Sequence, residues 1–120
     1  MVRAKKGSII HLGSVSAHRF FRGHSVYSAT KAGLEGFVQA MASEVAKRNI
    51  RVNCILPGPV LTPMLQKSME ETGMNPKENI PTNKLVDSQE IANMCNFILS
   101  DQCPSLTGAL IPIDGGYLLW

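Results

Sequence analysis

No apolar run in this chain of 120 residues reaches the roughly 20 residues that a membrane-spanning helix needs. No stretch combines a basic start, a short apolar segment and a small-residue cleavage site, so nothing in these residues points to secretion. Cysteine is sparse: Cys54, Cys95 and Cys103 stand at no metal or redox spacing, and an odd count fits buried or incidental thiols in a reduced compartment. His18 and His24 have no carboxylate or cysteine at ligand spacing, so no metal is expected. Net charge is only +3, and its densest basic cluster, Arg3, Lys5 and Lys6, reads as a solvated end. Neither a nucleic-acid partner nor a membrane is expected. The sequence also lacks any glycine-rich run following a strand of the kind that cradles a dinucleotide's phosphates.

What remains is ordinary for a globular protein, 44% hydrophobic and 18% charged, and long enough for one domain. The order of segments reads strand, helix, strand, polar stretch, helix, strand. Ser8 to Leu12 is a short apolar strand containing His11, which reads as a strand residue near the cleft and not as a ligand. A loop with Phe20 and Phe21 leads to a helix from about Ser25 to Arg48, with Ser25 as its N-cap and Asn49 as its stop. Arg51 to Leu56 is a second strand, closed by Pro57-Gly58-Pro59. Met64 to Leu85 reads as a lid or binding loop with one or two helical turns. Asp87, with Glu90 three positions on, opens another helix on which Ile91, Met94, Cys95 and Ile98 mark a core face. Ala109 to Ile113 is the last strand; the apolar tail Tyr117 to Trp120 is expected to cover a sheet edge or a subunit contact. Such alternation implies parallel strands with right-handed crossovers, an α/β sheet of three strands with flanking helices. Its first strand would be left with an unpaired edge.

One stretch carries chemistry. In Ser25-Val26-Tyr27-Ser28-Ala29-Thr30-Lys31, Tyr27 and Lys31 lie one helical turn apart on one face. An ammonium beside a phenol favours the phenolate, which suits a tyrosine that exchanges a proton with a reacting oxygen. Upstream, Gly13-Ser14 ends a strand in a hydroxyl that can face the same cleft, at the carboxyl edge where α/β sheets bind ligands. Ser16, in the same turn, competes with Ser14 for that role. The same helix carries Ala29, Ala32, Gly33, Gly36 and Ala40, small residues that admit another backbone closely, and an apolar stripe of Val26, Phe37, Met41 and Val45. Glycines inside a helix cost about 1 kcal/mol each, so a tight packing partner is expected.

These motifs together resemble the short-chain dehydrogenase/reductase family: Gly13-Ser14, Tyr27-x-x-x-Lys31, Arg51-Val52-Asn53, Pro57-Gly58-Pro59-Val60-Leu61-Thr62, Thr107-Gly108 and Asp114-Gly115-Gly116. The run Val26 to Lys31 and the ending are most similar to the β-ketoacyl-carrier-protein reductase and carbonyl reductase branch. The resemblance implies an oxidoreductase that moves hydride between NAD(P)H and a carbonyl or alcohol, with NADPH favoured over NADH. It implies that Ser14 polarises the substrate oxygen, that Tyr27 supplies the proton, and that Lys31 supports Tyr27 and holds the nicotinamide ribose. It further implies that Pro57, Gly58, Val60 and Thr62 flank the nicotinamide, the Val60 backbone and the Thr62 hydroxyl taking its carboxamide. It also implies a homo-oligomer, dimer or tetramer, packed through the long helix, and a cytoplasmic setting with a mitochondrial one as alternative. The family's domain is about twice as long, so the resemblance places these residues in the C-terminal, catalytic half of a Rossmann-type doubly wound sheet, the phosphate-binding half being absent. A different reading is a truncated, non-catalytic chain that acts only through subunit association.

Overall fold

The computed structural model describes residues 1–119; Trp120, the end of the expected apolar tail, lies outside them. Three parallel strands, β1 (Gly7–Leu12), β2 (Ile50–Pro57) and β3 (Leu110–Ile113), lie in the order β1-β2-β3. Gly7 pairs with Ile50 and Leu12 with Ile55 in one ladder; Cys54 pairs with Leu110 and Pro57 with Ile113 in the other. Helices α1 (Ser25–Val45), α2 (Pro63–Thr72) and α3 (Ser88–Leu99) fill the connections. The alternation read from the sequence is thus the observed architecture, and β1 has one edge free among the described residues. No helix among them is long and apolar enough to cross a membrane.

The two faces of the sheet differ in chemistry. Against α1 the strands present Ile50, Val52, Cys54 and Leu56, which form a core with Val38 and Ala42. That burial is what holds α1 on the sheet, at roughly 25 cal/mol for each Å² of apolar surface removed from water. The residues α1 buries, Ser28, Glu35, Val38 and Ala42, share one face with Lys31. Of the apolar stripe expected, Met41 and Val45 pack against this core, while Val26 and Phe37 stay exposed at 76% and 52%. The other sheet face sets bonded polar side chains beside the fully buried Ile55. Buried Arg51 donates to the carbonyls of Ile98 (2.6 Å) and Ser100 (2.9 Å), which caps the C-terminal end of α3. Asn53, fully buried, donates to the Leu106 carbonyl and accepts from the Ala109 N–H, fastening the segment that leads into β3.

Boundaries moved in several places. The residue flanking α1 is His24, with no side-chain cap, because Ser25 is already helical; Gly23, at φ 86°, makes the preceding turn. The helix ends at Val45 and tightens into a 3-10 turn, Ala46–Arg48, closed by Asn49 in the left-handed region at φ 53°. The stretch read as one or two turns holds the ten-residue helix α2, capped by the Thr62 hydroxyl on the Leu65 N–H, with Pro63 in its first turn. The Asp87–Glu90 capping box is complete. Cys95 is only half-buried, not core. A second, smaller core joins Val15, Ile80 and Tyr117. The tail therefore folds inward at Tyr117, while Leu119 stands 83% exposed.

Candidate functional site

The carboxyl ends of β1 and β2 form one rim, and sequence dictates what gathers there. Gly13 leaves β1 pressed against β2. A Cβ at Gly13 would stand 2.6 Å from Leu56 Cδ2 and 2.9 Å from Cys54 Sγ, so only glycine passes without a shift. The next residue, Ser14, is extended and caps a 3-10 turn, Val15–Ala17, its Oγ accepting from the Ser16 N–H at 3.1 Å. That bond pins the oxygen and leaves the hydroxyl proton free to donate outward. Ser14 and Ser16 are both buried, and Ser14 is the one at the strand's exit.

Lys31 arrives from α1. It sits on the helix face that packs on the sheet, so its stem lies against the protein while its ammonium reaches the rim. Nζ donates to the Leu12 carbonyl at 2.8 Å, the last residue of β1 and two positions before Ser14. It stands 5.7 Å from the centre of the Tyr27 ring. Tyr27 is 47% exposed, open to a ligand from the solvent side, with the His24 ring edge-on at 6.1 Å. Tyr27 and Lys31 are therefore brought together at the strand end that carries Ser14. An ammonium held there and a phenol one turn away can serve proton exchange with an oxygen at the rim.

The residues after β2 take up positions on the same rim. Pro57 ends β2, and the Gly58 N–H donates to the Ile113 carbonyl at 2.9 Å. A Cβ at Gly58 would stand 2.8 Å from Asp114 Cα, so this close crossing also needs glycine. Val60 forms a parallel bridge with Val86 through the bonds Leu61 N to Val86 O and Val86 N to Pro59 O, both 3.0 Å. Val60's own N–H and C=O take no part in the bridge and point to its other side. The Thr62 hydroxyl accepts from the Leu65 N–H and keeps its proton to donate. A planar amide needs such a donor–acceptor set. No hydrogen bond joins this loop to Tyr27 or Lys31 among the described residues.

Sequence reasoning missed three partners. The Leu12 carbonyl was invisible because a backbone acceptor carries no residue signature. His18 Nε2 pairs with Glu35 Oε2 at 2.8 Å. The signal for that pair was Glu35 itself, an acid on the core-facing stripe of α1, which must find a cation. Arg19 donates to the Tyr117 carbonyl at 2.8 Å and lies 4.2 Å over its ring; burial pushes the Tyr117 phenol above its ordinary range, with Arg19 pulling the other way. His11 lies on the α1 face, edge-on to Phe37 at 5.6 Å. No cluster of potential metal ligands occurs among the described residues.

Residues 1–118 match a family model described as enoyl-(acyl carrier protein) reductase. The chain is 41% identical over 119 residues to a 3-oxoacyl-[acyl-carrier-protein] reductase of Bos taurus, covering 99% of this chain and 48% of that one. It is 39% identical over 119 residues to carbonyl reductase family member 4 of Xenopus laevis, again covering 99% of this chain and 48% of the relative. Among solved structures, ElxO with NADP bound superposes with a TM-score of 0.91 at 27% identity, covering 100% of this chain and 50% of that one. The chain thus spans about half the length of the curated relatives it matches.

Proposed function

This chain belongs to the short-chain dehydrogenase/reductase family of oxidoreductases, and on that premise we propose that it supplies the catalytic half of an NAD(P)H-dependent reductase acting on a carbonyl or alcohol carbon. The observation that carries this reading is the Lys31 ammonium, bonded to the Leu12 carbonyl at 2.8 Å and 5.7 Å from the Tyr27 ring, beside the turn that Ser14 caps.

In the reductive direction the Ser14 hydroxyl donates to the substrate carbonyl oxygen and polarises it. Tyr27 donates its proton as negative charge develops there. Lys31 supports the phenolate left behind and reaches the nicotinamide ribose. Pro57 and Gly58 shape the floor, and the Val60 backbone with the Thr62 hydroxyl receives the carboxamide. The nicotinamide, when bound, supplies the hydride; the protein supplies position and charge. The NADP-bound relative favours NADPH, and the curated relatives' names favour a 3-oxoacyl thioester or a simple carbonyl compound as substrate. The reading suits the cytoplasm, with mitochondria as the alternative. The test is oxidation of NADPH with an acetoacetyl thioester. Tyr27→Phe is expected to lower turnover by at least about a hundredfold; turnover near the parent's would overturn the mechanism.

A second reading has its own observation. A Cβ at Gly33 or Gly36 would meet nothing within 4 Å, and Val26 and Phe37 are exposed on the same helix. We propose that this face of α1 seats a second copy of the chain, as in a homodimer or tetramer. Association without NADPH binding in equilibrium dialysis would favour a purely structural subunit; tight NADPH binding would favour the enzyme.

A further inference from the structure

The turn that carries Ser14 is a closed unit gripped at its far end. The Ala17 N–H donates to the Ser14 carbonyl at 3.1 Å, and the His18 and Arg19 N–H groups donate to the Val15 carbonyl at 3.0 and 2.9 Å. With the bond from the Ser16 N–H to Ser14 Oγ, residues Ser14 to Arg19 are tied into one turn. Its entrance is fixed by β1. Its exit is held by two adjacent side chains that reach in different directions. His18 takes Glu35 of α1 at 2.8 Å; Arg19 takes the Tyr117 carbonyl and ring.

Glu35 makes the first grip informative. It lies four residues beyond Lys31, as Lys31 lies four beyond Tyr27, so the three side chains follow one another along α1. Its side chain is only 8% exposed, and its second oxygen, Oε1, is buried with no hydrogen-bond partner among the described residues. The one basic side chain paired with it among the described residues is His18, whose side chain is 45% exposed. A buried carboxylate with one partner is a poor source of stability, since its desolvation offsets the Coulomb gain. It is a good source of geometry, because the carboxylate has one low-energy place to be.

We propose that His18 is a positioning residue: through Glu35 it sets the Ser14 turn against the helix that carries Tyr27 and Lys31. The proposal rests on the catalytic reading above. On this reading His18 acts through Glu35, so removing it should move Ser14 without moving the nicotinamide floor around Val60 and Thr62.

The test uses His18→Ala and His18→Gln in the protein as it is expressed. Displacing a polarising group by about an ångström costs on the order of ten- to a hundredfold in turnover. His18→Ala is therefore expected to lower kcat by that factor while the Kd for NADPH stays within about twofold. His18→Gln, whose amide N–H can donate to Glu35, is expected to regain most of the loss; it also keeps the test open should the alanine variant not fold. A folded His18→Ala protein with the parent kcat, or one whose kcat and NADPH affinity fall together, overturns the proposal. If the parent itself reduces no carbonyl, it is the catalytic reading that fails. The grip is then read from amide exchange at Ser16, Ala17 and His18, expected to quicken by about tenfold in His18→Ala; unchanged exchange overturns the grip.

Discussion

Cys54 lies wholly buried on β2, packed among Val38, Val52 and Leu56. Burial pushes its thiol above the ordinary value of 9.0, and the Glu35 carboxylate adds to this; the Gly13 backbone and the Lys31 ammonium pull it down. The sign of the linkage follows. As pH rises, the unfolded thiol ionises before the folded one, so stability holds below about pH 9 and falls above it. Urea midpoints are expected to drop between about pH 7.5 and pH 9.5, and Cys54→Ala, though less stable at either pH, is expected to flatten the drop. An unchanged slope in the variant would mean that another group is responsible. The same burial orders reactivity: the half-buried Cys95 and Cys103 should alkylate before Cys54.

Elements depend on a few directed bonds as much as on apolar area. Arg51 ties β2 to the last carbonyls of α3, and Asp87 with Glu90 closes the first turn of the same helix. Asp87→Ala is expected to cost about 1 kcal/mol. Arg51→Met is expected to cost more, about 2–3 kcal/mol, since it takes the guanidinium from the Ser100 carbonyl and leaves the Ile98 carbonyl only the Ser8 hydroxyl at 3.2 Å. Urea unfolding of both variants checks the order, and equal costs would show that Arg51 is not what holds α3.

The elements themselves were legible in the sequence. Strand, helix, lid, helix and strand follow from apolar periodicity, from proline and glycine stops, and from the Asp87–Glu90 box. Ends were less so: Ser25 looks like a cap yet is helical, and α2 is longer than its polar composition suggested. At the site, Tyr27 and Lys31 were visible because helical spacing alone places them together. The Leu12 carbonyl, the His18–Glu35 pair and the Arg19–Tyr117 contact join segments far apart in sequence, and no local pattern announces such meetings.

At the scale of the whole molecule, α1 leaves Val26 and Phe37 exposed on one face. Gly33 and Gly36 have room for a methyl group in this chain alone, so alanine at either position should raise the intrinsic stability of the helix by about 0.5–1 kcal/mol. If a second copy packs there, the same methyl groups stand between two backbones. Gly33→Ala/Gly36→Ala is then expected to weaken self-association by about tenfold or more in sedimentation equilibrium, while the monomer unfolds at higher urea. Undiminished association would place the contact elsewhere.

All three strands run the same way, so every segment leaving their forward ends emerges on one side while the packed layers lie behind it. Insertions or deletions between Met64 and Asn75 therefore have no ladder to shift and no core residue to displace. Length can change there without disturbing the sheet beneath it, up to the point where Ile80 anchors the chain against Val15 and Tyr117.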